Sequence, residues 1–148
     1  MNPLFQLLSE TDIPTLLEMM RDFYAEQHML FESGAAAKAI KQLLADPSLG
    51  QICFIYRGAE LAGYFVLTFC FSLEFHGHFA LLDDLYLRDE FRGQKLGRAA
   101  IAFAKTVCKQ RGIGALRLEV GEENVAAQGL YRASGFAKDA RHLYTQWL

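Results

Sequence analysis

The stretch from Phe79 to Arg111 constrains the fold most, because its hydrophobic period changes once, at a glycine-containing loop. Phe79 to Leu87 is strand-like. From Lys95 to Arg111 the pattern turns helical, with Leu96, Ala100, Phe103 and Val107 on an inner stripe and Lys95, Arg98, Ala102, Lys105 and Lys109 on an outer one. Gly112 and Gly114 stop that helix. A helix that starts at an exposed loop presents unpaired N–H groups. Such an end binds phosphate through those groups and the helix dipole. Gly93 and Gly97 admit close backbone approach because no Cβ intrudes. Arg92, Lys95 and Arg98 add positive charge. Neither the P-loop G-x-x-x-x-G-K-[ST] nor the dinucleotide fingerprint G-x-G-x-x-G is present.

The rest of the chain supplies the layers around this unit. Leu4 to Leu8 reads as an edge strand. Thr11 caps a helix whose apolar face is Ile13, Leu16, Leu17, Met20, Phe23 and Tyr24. A second helix spans Gly34 to Ala45 and ends at Asp46-Pro47. Gln51 to Tyr56, a turn at Arg57 to Glu60, and Leu61 to Leu73 form a hairpin. Leu116 to Val120 is a strand, Asn124 to Ser134 a helix, and Phe136 to Leu148 one or two strands. The expected architecture is α/β: a mixed, mostly antiparallel sheet of about six or seven strands flanked by about four helices. At 148 residues the chain makes one domain, residues 1–148.

Composition excludes several classes. With 52% hydrophobic and 13% aromatic residues the chain is not disordered. Its longest run free of charge and histidine, Leu61 to Leu73, has 13 residues. A membrane span needs ~20, so the run reads as a buried strand and no membrane partner is expected. Met1 to Asp12 lacks the basic start and apolar stretch of a secretory leader. Cys53, Cys70 and Cys108 lie far apart without a C-x-x-C pair, which suits reduced thiols in the cytoplasm. A net charge of −2 gives no case for nucleic acid. Its distribution is uneven. Residues 1–74 hold 4 Lys/Arg against 9 Asp/Glu, and Arg88 to Arg111 hold 7 against 2. An acidic half beside a basic loop suits a cationic substrate and an anionic cofactor.

Two motifs carry a family resemblance. Arg92 and Gly97 match the first and last positions of the acyl-CoA motif R/Q-x-x-G-x-G/A of the GNAT superfamily, the acetyl-CoA-dependent N-acetyltransferases, with Lys95 where glycine is usual. Asn124-Val125-Ala126-Ala127-Gln128-Gly129-Leu130-Tyr131-Arg132-Ala133-Ser134-Gly135-Phe136 fits that family's N-x-x-A-x-x-L-Y-x-x-x-G-F at every fixed position. With Asp83 to Leu87 before the loop and Leu118-Glu119-Val120 before the second motif, the resemblance is close over residues 79–138.

The resemblance implies a GNAT-like fold and acetyl transfer from acetyl-CoA to a primary amine by direct transfer. No metal is expected, because the histidines have no ligand context beyond H-x-H. The acceptor is a small amine, polyamine, amino acid or protein amine. The cofactor would be held by backbone groups at Leu85, Tyr86 and Leu87, by the loop Arg92, Gly93, Gln94, Lys95, Leu96, Gly97 and Arg98, and by Asn124, Ala127 and Tyr131. Tyr131 would protonate the departing thiolate.

An alkyl ammonium of pKa ~10.4 must lose a proton before it attacks. Asp83 and Glu119 stand level as the base, with Asp84 next. On a regular strand Asp83 and Asp84 point to opposite faces, so only one enters a cleft unless a bulge intervenes. Glu26, Glu32 and Glu74 are further acids for an amine pocket. His28, His76 and His78 have no metal-ligand setting. The apolar end His142 to Leu148 is an edge-strand candidate, from which a homodimer is expected. The alternative is a non-catalytic acyl-CoA-binding regulatory module.

Overall fold

A computed structural model describes residues 2–148. Its elements in chain order are β1 (Pro3–Leu7), α1 (Ile13–Glu26), α2 (Ser33–Ala45), β2 (Gly50–Arg57), β3 (Glu60–Ser72), β4 (Gly77–Leu87), α3 (Leu96–Gln110), β5 (Leu116–Leu118) and α4 (Val125–Ala133). The expected helices form. Thr11 is not the cap of α1, because Glu10–Asp12 is a 3₁₀ turn ahead of it. There the Ser9 N–H donates to the Asp12 carboxylate at 3.0 Å. In α2 the Glu32 side chain caps the helix, accepting from the Gly34 and Ala35 N–H groups.

The sheet runs β1-β2-β3-β4-β5, antiparallel except for the parallel pair of β4 and β5. It has five strands among the described residues, not six or seven. The difference is the C-terminal segment: Phe136 to Leu148 contains no strand. β5 has only three residues, so its outer edge gives a short template for a ladder. Side chains hold the segment instead, through Arg117–Asp139 at 3.2 Å and Arg141–Glu74 at 2.5 Å.

The sheet buries a core on each face. One face packs Phe65, Leu67 and Leu82 against Leu96, Ala100, Ile101 and Ala104 of α3. The other packs Phe54, Tyr64, Val66 and Tyr86 against Leu16, Met19 and Met20 of α1 and Ile40 of α2. A bulge in β4 connects these faces to the site. Leu67 opposes Leu82, but Val66 opposes Asp84, so Asp83 is the extra residue. The bulge resets the alternation. Leu82, Leu85 and Leu87 face α3, while Asp84 and Tyr86 face α1.

Candidate active site

β4 and β5 pair only where Ala80–Leu82 meet Leu116–Leu118. Past the Asp83 bulge the two segments diverge, and a cleft of about 1130 Å³ opens between them. Leu85, Tyr86 and Leu87 form one wall, and Gly121 to Asn124 with Ala127, Leu130 and Tyr131 form the other. Arg92, Gly93, Lys95, Gly97 and Arg98 line one end, while Phe23, Glu26, Gln27 and His28 at the end of α1 border it as well. A smaller cavity of about 520 Å³ lies between β1 and α3 and is lined by none of the candidate site residues.

The loop into α3 suits an anion. No side chain caps α3, so its first-turn N–H groups stay available. Lys95, the N-cap, has φ +65° and ψ +14°, the left-handed conformation that glycine adopts at no steric cost. The lysine therefore keeps a glycine-like backbone. Among the described residues no carboxylate lies within ion-pairing distance of Lys95 or Arg98. Gly97 is buried, and a Cβ there would sit 3.1 Å from Leu130 Cδ2, so its lack of a side chain lets α3 approach α4.

Asp84 is the buried carboxylate, 7% exposed. The Tyr64 hydroxyl donates to it at 3.0 Å. Burial, helped by the neighbouring Asp83 charge and opposed by the Tyr64 hydrogen bond, pushes the Asp84 carboxyl up to about 7. Asp83 is also raised by desolvation, although the residue keeps solvent contact. Burial and then the charges of Asp84 and Asp83 push Tyr24 up to about 12. Tyr131 is raised by burial and next by the Asp84 charge, so it stays protonated well beyond neutral pH. Neither Asp83 nor Asp84 lines the cleft: Asp84 is buried just before the lining residues of β4, and its charge is the second cause of the raised Tyr131 pKa.

The sequence matches the acetyltransferase (GNAT) family over residues 15–136. The chain belongs to that family. A thialysine N-epsilon-acetyltransferase of Bos taurus is 34% identical over 79 residues, 53% of this chain and 46% of the bovine protein. The chain thus aligns with about half the length of that GNAT relative. A spermidine N(1)-acetyltransferase of Thermoplasma acidophilum is 25% identical over 142 residues, 87% of this chain and 84% of the relative. An integron cassette protein, HFX_CASS3, from the mobile metagenome of Cole Harbour Salt Marsh shares the fold with a TM-score of 0.86 and 36% identity, over 97% of this chain and 90% of that one.

In this GNAT domain the cleft brings together Leu85, Tyr86, Leu87, Arg92, Gly93, Lys95, Leu96, Gly97, Arg98, Asn124, Ala127 and Tyr131. Asn124 caps α4, its Oδ1 accepting from the Ala127 N–H at 3.1 Å. Gln94 does not line the cleft. It accepts from Arg57 and donates to the Glu90 carbonyl. Glu119 lies past the end of β5, exposed and off the cleft lining. Of the other acids, Glu26 reaches the cleft, Glu32 caps α2 and Glu74 pairs with Arg141.

Phe23 and Tyr64 carry no mark of function in the sequence: Phe23 lies on the apolar face of its helix and Tyr64 within the uncharged run Leu61 to Leu73. Only the register of β3 on β4 places the Tyr64 hydroxyl on Asp84. Among the described residues no group of three or more metal-ligating side chains forms, and no helix is long and apolar enough to cross a membrane.

Proposed function

We propose that this GNAT domain transfers the acetyl group of acetyl-CoA to a primary amine by direct attack, with Asp84 as the base and Tyr131 as the acid. The carrying observation is the cleft that opens where β4 and β5 diverge, with Tyr131 on one wall and the buried Asp84 on β4 directly before the other. A base with a pKa of about 7 is matched to neutral pH, where it is partly ionised and still accepts a proton. Asp84, which does not line the cleft, takes the ammonium proton through water. The amine nitrogen then forms a bond to the acetyl carbon as the carbon–sulfur bond breaks. The leaving thiolate, of pKa ~8.5 in ordinary thiols, takes the proton of Tyr131, and the second proton shed by the acylated nitrogen returns through water to restore the phenol.

The residues present fit the cofactor. The uncapped start of α3 with Lys95 and Arg98 suits its phosphates. Past the bulge, Leu85 and Leu87 have no β5 partner, so backbone groups of β4, apart from the Leu87 carbonyl that Arg92 holds, are open to the pantetheine amides. When bound, acetyl-CoA supplies the activated acetyl thioester. Acidic and aromatic residues at the end of α1 and on β4 favour a cationic acceptor, and the two relatives named for thialysine and spermidine support a small cationic amine.

Free Cys53, Cys70 and Cys108 support a reducing compartment, the cytoplasm. The exposed Leu143, Tyr144, Trp147 and Leu148 support a homodimer, and light scattering at micromolar concentration should give twice the chain mass. A monomeric mass would remove that part of the reading.

A panel of amines assayed for thiol release from acetyl-CoA tests the activity. Release with a small cationic amine is expected. Tight acetyl-CoA binding without release for any amine would point to a binding module.

A further inference from the structure

The first residue of the acyl-CoA motif is already engaged. The Arg92 guanidinium donates to both Glu26 carboxylate oxygens at 3.0 and 2.9 Å. It pairs with Asp89 at 2.8 Å, and its Nε donates to the Leu87 carbonyl at 2.8 Å. Glu26 is the last residue of α1, so its pair with Arg92 ties α1 to the phosphate loop. Both side chains are near two-fifths exposed, 44% and 40%, so the pair is accessible and weak enough to exchange. Its two carboxylates neutralise Arg92, whereas Lys95 and Arg98 have no such partner among the described residues.

We infer that Glu26 is an exchangeable counter-ion. Arg92 leaves Glu26 for a phosphate of the cofactor, and the released carboxylate then faces the acceptor side of the cleft. This rests on the cofactor reading above. A phosphate oxygen can take the Nη2 donor that both Glu26 oxygens now share, while Asp89 stays on Nη1. The Leu87 carbonyl bond stays in place and keeps the guanidinium at the cleft while its partner changes. The unpaired Glu26 adds a negative charge beside Phe23 and Tyr86, where a cationic amine would enter. Cofactor binding therefore prepares the acceptor site. Toward the cofactor Glu26 is a positioning residue, acting through Arg92.

The test is CoA binding by calorimetry at low salt to wild type, Glu26→Gln, Arg92→Gln and the double variant. Thermal melts would confirm that each is folded. Glu26→Gln removes the competing charge, so CoA should bind roughly two- to fivefold more tightly, the range that exposed ion pairs span. Arg92→Gln should bind roughly tenfold or more weakly. The double variant should match Arg92→Gln, because Glu26 acts only through Arg92. A Glu26→Gln protein that binds CoA equally well or more weakly overturns the exchange. An effect of Glu26→Gln that persists without Arg92 overturns it too. Failure of the wild type to bind CoA would instead overturn the cofactor reading itself.

Discussion

The Tyr64 hydroxyl donates to the Asp84 carboxylate at 3.0 Å across the β3–β4 pair, with Tyr64 wholly out of solvent. Asp84 opposes Val66 in the ladder, so Tyr64 reaches it along the diagonal on the face toward α1. This contact depends on the bulge, which puts Asp84 on the Tyr64 face and leaves Leu82 on the other. The hydrogen bond lowers the Asp84 pKa, while burial and Asp83 raise it, and the rise prevails.

Asp84 should make the fold less stable as pH rises. Its folded pKa lies near 7 against 3.8 for a free carboxyl. Between those values the folded state holds the extra proton, so stability falls as pH climbs from about 4 through about 7. Asp84→Asn should therefore raise Tm more at pH 8 than at pH 5. Melts across that range check it. An equal shift at both pH values would mean that Asp84 does not carry the buried charge.

Loss of the Tyr64 hydroxyl should move the catalytic pH profile. Tyr64→Phe keeps the ring in the core but removes a hydrogen bond that favours ionised Asp84. The rising limb of kcat/KM, expected near pH 7 in the wild type, should shift to higher pH. Activity well above the limb should be largely retained. An unmoved limb would separate Tyr64 from the base.

How far the sequence revealed this molecule depended on where contacts are local. The loop from Arg92 to Gly97 and the segment from Asn124 to Phe136 are continuous, so their turn and cap chemistry could be read directly. The choice among Asp83, Asp84 and Glu119 could not be, because one extra residue in β4 decides which carboxylate is buried. The pair of Glu26 and Arg92 spans 66 positions, and no local pattern encodes it. The tail misled for a different reason. His142 to Leu148 has strand-like composition, but β5 is too short to give it a ladder.

Lys95→Gly should relieve backbone strain. A non-glycine residue at φ +65° costs roughly 1–2 kcal/mol, and the added chain entropy of glycine offsets part of the gain. The variant should be as stable as the wild type or up to about 1 kcal/mol more stable in urea. CoA affinity should fall, because a cation is lost from the phosphate end of the cleft. A clear loss of stability would contradict the left-handed assignment.

The acid–base account is tested most directly by single-turnover acetyl transfer in Tyr131→Phe. The ring still packs edge-on against Phe136, with centroids 5.9 Å apart in the wild type, so only the hydroxyl is lost. Unchanged acetyl-CoA affinity and a fall of roughly 10²–10⁴-fold in the chemical step are expected. That loss should appear equally in kcat and kcat/KM, as for an interaction made only in the transition state. A Tyr131→Phe protein whose chemical step runs at the wild-type rate would contradict the account and leave Tyr131 as a packing residue.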